Sequence, residues 1–374
     1  MEKIVEIIRF YSLNEINNYI LKGNDYPNYH VWCYDVLLHN FSNIGEINYN
    51  KDTFINILGK KIGIVNLQQQ INCFRLTTKK DILFAPFIKD VFFLAVLKIL
   101  RIYNSPIIAI SHNAYVPNQK NILKRCKRLM IRNINLIGID KILFLNENMY
   151  NHCNSYKRIQ ESHSYLHHWG VDYSFFNSYS LKQQDSPKND FILSLGGTNR
   201  DFKVLIEAFK NINFKLKVIP KKSENIPPDI DIPKNAIISS SIPNLYSYSL
   251  IRAEYYNCFA VAIPLLHKEN DYSPSGSTIL FEAFAMGKAV ITTKNVAYPF
   301  DVEAERIGLN VNYGDVAGWE NAVNYLIAHP QEVKEMGNRA KQLCKNKYNY
   351  ELFSQEILGH LKKMDDNDKF TSGK

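Results

Sequence analysis

Short apolar runs alternate with helix-length segments of periodic hydrophobicity along most of the chain. This alternation is typical of a parallel β-sheet whose faces are covered by helices. In the first half, one helix is predicted from about Ile88 to Tyr103, between the second and third of four strands. The four predicted strands are Ile4–Arg9, Asp81–Ala85, Ser105–Ser111 and Ile139–Leu145.

The alternating pattern breaks beyond Asp172, where the polar run SYSLKQQDSPKND has the composition of a linker. A second unit begins at Phe191 with the strand FILSLG, a glycine turn and a helix to Phe209. Its further predicted strands are Lys215–Pro220, Ala236–Ser240, Cys258–Pro264 and Ala289–Thr293. Because 374 residues exceed one ordinary α/β core, we predict two Rossmann-like domains, residues 1–178 and 179–349, with a cleft between them.

Composition narrows the class of protein. Hydrophobic residues make up 46% of the chain and charged residues 22%, which indicates a globular protein. The six cysteines are scattered without a CxxC pair, so zinc and disulfide frameworks are unsupported and a cytoplasmic location is expected. No signal peptide is recognised, and the most apolar stretch, Val91–Leu100, is too short to span a bilayer. The 23 Tyr and 21 Phe are spread through apolar segments, which favours core packing over nucleic-acid binding.

Positive charge is concentrated in the first half. Residues 1–180 contain 21 Lys/Arg and 13 Asp/Glu (+8), whereas residues 181–374 contain 24 and 23 (+1). Residues 119–133, QKNILKRCKRLMIRN, have the pattern of a basic amphipathic helix, which attracts anionic lipid headgroups. An ordinary solvated helix face has the same pattern. If the helix binds lipid, the protein is expected to be peripheral, on the inner face of the cell membrane.

The most informative segment is YSPSGSTILFEAFAMGKAVITT, residues 272–293. Small residues precede a helix that Gly287 closes as a left-handed cap, and a strand follows. Unpaired backbone N–H groups and the helix dipole make such a helix start a cradle for a pyrophosphate. Glu282, one turn further, can reach the hydroxyl pair of a ribose, although a plain capped helix with a solvated glutamate fits as well. The predicted cradle residues are Ser275, Gly276, Ser277 and Thr278.

A second signal is SLGGTNRDFKVLIE, residues 194–207. Gly196 and Gly197 follow a strand, where they permit close approach of the backbone to a ligand or form an ordinary strand-to-helix turn. Arg200 is expected to face the same strand-end cleft, where a guanidinium can bind phosphate bidentately and stabilise a departing diphosphate. Lys203 is a weaker candidate that a solvated helix start explains as well.

The segments GGTNRD, IPNLYSYSLIRAEYYNCFAVAIPL and SGSTILFEAFAMGKAVITT, in this order, resemble the donor half of glycosyltransferase family 4. PFIKDVFFLAVLKILRIYNSPIIAISHN, IDKILFLNENMYNHC and HHWGVDYSFF are similar to its acceptor half. The resemblance implies an α/β protein of the GT-B type, two Rossmann-like domains facing across a cleft, with helix 350–364 packing back on the first domain. It places the donor phosphates at Arg200, Lys203 and Ser275–Thr278, the ribose at Glu282 and the base near Ser240–Ile242.

On the acceptor side the resemblance assigns two histidines. His112, in ISHN at the end of a strand, matches a histidine beside the donor phosphate or reaction centre, and can donate to a phosphate or shuttle a proton near neutral pH. His30 lies in a Pro-x-x-His loop that faces the acceptor in some relatives, before a helix with Val31, Tyr34 and Leu37 on its apolar face. Either histidine has a purely structural alternative.

One departure concerns the transferred sugar. The family usually has two glutamates separated by seven residues, and Pro274 stands where the first would be, eight positions before Glu282. Asp271 or Tyr272 are candidate substitutes. The change leaves retention of anomeric configuration favoured but open, and the sugar undetermined.

These observations predict a nucleotide-sugar-dependent hexosyltransferase that moves a sugar from a UDP- or GDP-linked donor to a glycan or lipid-linked acceptor, in cell-surface polysaccharide or glycolipid synthesis. No cofactor or metal is expected, because Asp229 and Asp231 resemble a DxD motif but lie in a Lys/Pro-rich loop with no strand to aim them. The alternatives are a GT-B epimerase or hydrolase acting on sugar nucleotides and a non-catalytic GT-B subunit, the latter supported by the missing glutamate.

Overall fold

The computed structural model describes residues 4–8, 25–41, 43–47, 53–112, 122–154, 163–222, 225–239, 248–266 and 273–371. Two six-stranded parallel sheets follow each other along the chain. Their strands are short and largely apolar, and β-strands buried on both faces read as continuous hydrophobic runs of this kind.

The first sheet has the strand order β2-β1-β3-β4-β5-β6, with every neighbouring pair parallel. Its strands are β1 (Ile4–Ile8), β2 (Asn43–Ile47), β3 (Ile82–Ala85), β4 (Ile107–Ser111), β5 (Lys141–Phe144) and β6 (Ser164–Tyr165). The helices around it are α1 (Tyr34–Asn40), α2 (Phe54–Ile62), α3 (Leu67–Leu76), α4 (Phe92–Ile99), α5 (Ile122–Gly138) and α6 (Glu147–Asn154), with 3-10 turns at Asn28–Val31 and Ile88–Val91.

The second sheet has the order β12-β11-β10-β7-β8-β9, again parallel throughout. Its strands are β7 (Phe191–Gly196), β8 (Lys215–Pro220), β9 (Ala236–Ile238), β10 (Ala260–Ile263), β11 (Val290–Thr293) and β12 (Gly308–Val311). The helices are α7 (Tyr173–Lys182), α8 (Phe202–Ala208), α9 (Tyr248–Asn257), α10 (Ser277–Ala285), α11 (Val316–Ala328), α12 (Pro330–Asn346) and α13 (Tyr350–Thr371). The strand order reverses between β7 and β10, and doubly wound sheets bind ligands at that point.

The predicted strands are confirmed to within two residues at each end, and the α/β fold of two Rossmann-like units is confirmed with them. The helix predicted from Ile88 to Tyr103 is shorter, because a 3-10 turn precedes α4 and Arg101 adopts a left-handed conformation at φ 59° after its end. The predicted linker is also shorter. Asp172 caps α7 by accepting from the Phe175 N–H (2.8 Å), and Phe176 is buried in the second core, so residues to Lys182 are helical.

The last helix returns to the first domain. α13 places Phe353, Ile357 and Leu361 in the core around the first sheet, where all three are buried. The helix expected over 350–364 is longer, since its helical backbone continues to Thr371. Within the described residues, no helix has both the length and the apolar character that crossing a bilayer requires.

Candidate functional site

The segments that follow β7 and β10 are joined at the switch point of the second sheet. The Asp201 N–H donates to the Pro264 carbonyl (3.0 Å) and the Leu266 N–H donates to the Asn199 carbonyl (3.1 Å). Arg200 lies between these two bonds and pairs with Leu265 in an isolated antiparallel bridge. The chain therefore fixes Arg200 at the carboxyl ends of two neighbouring strands.

The Arg200 side chain is buried against the end of β7. Its Nε donates to the Leu195 carbonyl (3.2 Å) and its Nη1 to the Thr198 carbonyl (3.1 Å). Burial lowers the pKa of the guanidinium, and the nearby Tyr298, Tyr255 and Glu282 act in the opposite direction. A guanidinium has five N–H groups, so three remain for a phosphate after these two bonds.

The glycines of the GGTNRD turn contact protein. A Cβ on Gly196 would lie 3.1 Å from Nη2 of Arg200, so the absence of a side chain here leaves space for the guanidinium. A Cβ on Gly197 would lie 2.6 Å from Cβ of Lys221 and 2.8 Å from Oδ1 of Asn225, so this glycine is packed against the loop after β8. Lys203 is exposed on α8. Of these four predicted donor residues, Arg200 is the one whose charge interacts with that of Glu282.

The start of α10 is built on Gly276, which has φ +89°. A Cβ there would lie 2.7 Å from the Tyr298 hydroxyl and 2.8 Å from Cγ2 of Ile263. Ser277 donates both its N–H (3.1 Å) and its hydroxyl (2.5 Å) to the Pro274 carbonyl, so neither group is left to donate to a phosphate. The Leu280 N–H donates to the Gly276 carbonyl (3.0 Å), so the N–H groups of Thr278 and Ile279 are the first-turn donors that precede the intrahelical bonds.

Ser275 and Tyr298 stabilise this helix start. The Tyr298 hydroxyl donates to the Ser275 carbonyl (2.9 Å), and the Ser275 and Ser273 hydroxyls are 2.9 Å apart. Both serines and Thr278 are half-buried, at the rim of the segment. The helix start thus presents backbone N–H groups and the Thr278 side chain, close to the buried Arg200.

Glu282 lies in the second turn of α10 and is 3% exposed. Its Oε1 accepts from the Tyr29 hydroxyl (2.6 Å) and its Oε2 accepts from the Tyr255 hydroxyl (2.7 Å). Burial raises the pKa of this carboxyl to about 7, while the two tyrosines and Arg200 lower it. The solvated glutamate considered from the sequence is wrong, because Glu282 is a buried group bonded to tyrosines from both domains.

His30 lies in the 3-10 turn that carries Tyr29. Its Nε2 is 2.7 Å from the Tyr248 hydroxyl, and its ring packs edge-on to Tyr26 and Tyr248. Burial lowers the pKa of His30 to about 4, with Lys221 adding to the effect. The histidine predicted for the acceptor side is therefore bonded to the second domain, and α1 begins only at Tyr34.

His112 follows β4 and belongs to an aromatic cluster of the first domain. Its ring stacks on Phe87 at 4.3 Å and meets Trp32 edge-on at 5.4 Å. Burial lowers the pKa of His112 to about 3. A group with this pKa is a poor proton shuttle near neutral pH, which corrects that part of the expectation, whereas a neutral imidazole still donates one hydrogen bond.

Four tyrosines of the site were missed from the sequence: Tyr29, Tyr248, Tyr255 and Tyr298. They are scattered among the 23 tyrosines of the chain, and no spacing distinguishes them from tyrosines of the core. Glu282 is the only signal that was available, since a buried carboxylate requires donors.

A cavity of about 630 Å³ lies between α6 and the segment after β11. Beside it, the Asn146 and Asn148 side chains donate to the carbonyls of Ala297 (2.7 Å) and Tyr298 (2.6 Å), which holds the two domains together. The cavity is lined by Asn148, His152, 294–296, 298–302 and Asn310. Amides, a lysine, a carboxylate and aromatic rings around one space suit a ligand rich in hydroxyl groups.

The predicted basic helix is α5. Its apolar side chains at the start are exposed, with Ile122 at 76%, Leu123 at 80% and Met130 at 53%. Beside it, α2 exposes Phe54, Ile57, Leu58 and Ile62, and Lys127 Nζ is 3.5 Å from where a Cβ on Gly63 would be. The two helices carry seven basic residues and no acidic one.

Other predicted positions are outside the site or outside the described residues. Asp231 is 84% exposed and pairs with Lys210 (3.3 Å), as expected of a solvated loop. Among the described residues, no group of three or more His, Cys, Asp or Glu side chains is placed to hold a metal ion. Residues 119–121, Ser240–Ile242, Asp271 and Tyr272 lie outside the described part of the chain.

No protein-family model and no curated protein sequence matches this chain. Solved structures with a similar fold include α,α-trehalose 6-phosphate synthase from Burkholderia multivorans, with 10% identity over 100% of this chain and 98% of that chain (TM-score 0.72). Sucrose-phosphate synthase from Thermosynechococcus elongatus has 11% identity over 97% and 99% (TM-score 0.66). HepE of Anabaena in complex with UDP-glucose has 12% identity over 96% and 99% (TM-score 0.66). The chain therefore has the GT-B fold, two Rossmann-like domains facing across a cleft.

Proposed function

We propose that this protein is a glycosyltransferase that moves a hexose from a UDP- or GDP-linked donor to a glycan or lipid-linked acceptor. The observation that supports this most is the position of Arg200, the start of α10 and Glu282 together at the switch point of the second sheet. Cationic, amide and carboxylate groups at this point match the phosphates and ribose of a nucleoside diphosphate. The UDP-glucose bound to HepE is consistent with a donor of this class in the same fold.

The proposed step is stabilisation of the departing diphosphate. The remaining N–H groups of Arg200 and the first-turn amides of α10 would contact the negative charge that develops as the glycosidic bond to phosphate breaks. Both groups are held by backbone contacts before the substrate binds, so little reorganisation is required during the step. We propose that this charge stabilisation needs no metal ion.

Retention of configuration is the stereochemical outcome that we propose. An inverting enzyme needs a base for the acceptor hydroxyl, and the pKa values of His30 (about 4) and His112 (about 3) make both poor bases near neutral pH. A phosphate oxygen of the leaving group can take that proton in a retaining reaction. His112 would then serve as a hydrogen-bond donor.

The acceptor is proposed to bind in the cavity between α6 and residues 294–302. Its volume of about 630 Å³ accommodates a short saccharide, and both domains line it next to the segment that holds Ser275 and Tyr298. His152→Ala together with Asn310→Ala, two lining residues from the two domains, would raise the KM for the acceptor and leave the KM for the donor unchanged. Equal changes in both constants would place the acceptor elsewhere.

For a lipid-linked acceptor, we propose that the face formed by α2 and α5 rests on an anionic membrane in the cytoplasm. Exposed apolar side chains beside seven basic residues fit that surface, at about 1 kcal/mol for each basic residue near the headgroups. Co-sedimentation with vesicles containing anionic lipid tests this. Neutralising Lys124, Arg125, Lys127 and Arg128 should abolish it, whereas neutralising four exposed lysines of the second domain should not: Lys188, Lys234, Lys334 and Lys345.

The function itself is tested by incubation with UDP- and GDP-sugars. Release of nucleoside diphosphate that requires an acceptor indicates transfer. Release without an acceptor, or interconversion of sugar epimers, indicates a hydrolase or epimerase. Nucleotide binding without turnover indicates a non-catalytic subunit, and the proposal fails in each of the last three cases.

A further inference from the structure

The hydrogen bond between Tyr29 and Glu282 joins the two domains at the group assigned to the ribose. Tyr29 comes from the segment Asp25–Cys33 of the first domain, and its hydroxyl lies 2.6 Å from Oε1 of Glu282. The same hydroxyl is 3.5 Å from that of Tyr248. A first-domain side chain therefore contacts the carboxylate that the proposed donor requires.

Because Glu282 is almost fully buried, a ribose hydroxyl can reach it only where one of its present partners makes room. The residue is 3% exposed, and each oxygen already accepts from a tyrosine. Tyr255 is fully buried on α9 of the same domain and is fixed there by the second core. Tyr29 is half-buried in a short 3-10 turn, so Tyr29 is the partner that can leave.

The segment that carries Tyr29 is attached to the second domain at several points. Asp25 pairs with Arg252 (2.5 Å), His30 bonds Tyr248 (2.7 Å) and the Asn28 N–H donates to Asp172 (3.1 Å) at the junction of the domains. The segment ends in two consecutive left-handed residues, Trp32 (φ 51°) and Cys33 (φ 67°), a conformation that non-glycine residues seldom adopt. Movement of Tyr29 thus affects a segment held by contacts with both domains.

We propose that Tyr29 is a ribose-sensing residue: the 2′- or 3′-hydroxyl of the donor replaces the Tyr29 hydroxyl on Glu282, and the segment 25–33 is thereby released from the second domain. This inference rests on the proposed function, because it requires a nucleoside diphosphate at Glu282. It makes nucleotide binding compete with a contact between the domains. Nucleotides without ribose hydroxyls should leave that contact in place.

The test compares two conservative variants and two nucleotides by calorimetry. Tyr29→Phe removes the competing hydroxyl and should tighten binding of the ribonucleotide, UDP or GDP, by about tenfold, the equivalent of one hydrogen bond to a charged group. The matching 2′,3′-dideoxynucleotide should bind wild type and Tyr29→Phe equally. Tyr255→Phe removes a bond to the same carboxylate from within the second domain and should not tighten binding of either nucleotide.

Hydrogen exchange of the wild-type protein gives a second measurement that needs no variant. The amides of segment 25–33 should exchange several-fold faster with the ribonucleotide than with the dideoxynucleotide. Three results would overturn the inference while the proposed function stands. They are an equal gain in affinity for both nucleotides in Tyr29→Phe, a gain in affinity in Tyr255→Phe, and hydrogen exchange in segment 25–33 that does not differ between the nucleotides. If neither ribonucleotide binds the wild-type protein, the proposed function fails and the inference fails with it.

Discussion

Substitution of Gly276 by alanine tests whether the start of α10 is shaped for a ligand by its backbone. The residue has φ +89°, and a left-handed backbone costs a residue with a Cβ about 1 to 2 kcal/mol. The new methyl group would lie 2.7 Å from the Tyr298 hydroxyl and 2.8 Å from Cγ2 of Ile263, which adds about 1 to 3 kcal/mol for overpacking. Alanine also lowers the entropy of the unfolded chain, which offsets part of this cost, so the free energy of unfolding should fall by about 2 to 4 kcal/mol.

Gly314 provides the matched control. It has φ +69° in the loop after β12, and no described atom lies within 4 Å of an added Cβ. Gly314→Ala therefore has the cost of the left-handed backbone without a steric clash, and its free energy of unfolding should fall by about 1 kcal/mol or less. The difference between the two variants isolates the effect of packing against Tyr298 and Ile263.

Two assays are needed. Chemical denaturation measures the free energy of unfolding of both variants, and calorimetry measures binding of UDP and GDP. Because Gly276→Ala displaces Tyr298 and the Ser275 carbonyl that it bonds, we expect its nucleotide affinity to fall at least tenfold, with Gly314→Ala unchanged. Equal losses of stability in the two variants, or wild-type affinity in Gly276→Ala, would refute the assignment of this helix start.

Three further outcomes follow from the site. Arg200→Ala should lower turnover by about 100- to 1000-fold, as removal of a single transition-state donor does. Lys203→Ala is the control, because it removes a charge from the exposed face of α8, and its turnover should stay within about threefold of wild type. Treatment with EDTA should leave turnover unchanged, and a loss that Mg²⁺ or Mn²⁺ restores would contradict the metal-free step. Burial raises the pKa of Glu282 from its usual 4.5 to about 7, so between these pH values the folded protein holds a proton that the unfolded chain has released. As the pH falls from 8 to 5, wild type should therefore gain up to about 2.5 kcal/mol of unfolding free energy relative to Glu282→Gln, measured by denaturation curves. If the difference in unfolding free energy between the two proteins does not vary with pH, Glu282 is charged in the folded state.

The strands were predictable because buried parallel strands are short apolar runs bounded by turns. The segments FILSLG and KLKVIP match β7 and β8 without error. β2 (NIGEI) and β12 (GLNV) were missed, since glycine and polar residues within them remove the apolar run, and β6 (SY) was missed because it has only two residues. Local pattern thus identified the centre of each sheet better than its edges.

The site was predictable where a backbone feature defines it. The glycine that starts α10 and the arginine after β7 follow from strand–turn–helix order, and the structure places both at the switch point. The partners of Glu282 were not predictable, because Tyr29 and Tyr255 are 253 and 27 positions away in the chain. The neutral state of His30 and His112 depends on tertiary burial, which no local pattern carries.

The position of α13 has a consequence for synthesis of the protein. Phe353, Ile357 and Leu361 complete the core around the first sheet, yet they are translated after every residue of the second sheet. On the ribosome the second domain can therefore acquire all of its strands and their connecting helices while the first still exposes the apolar surface that α13 will cover. The half of the molecule that is made first is the half that finishes folding last.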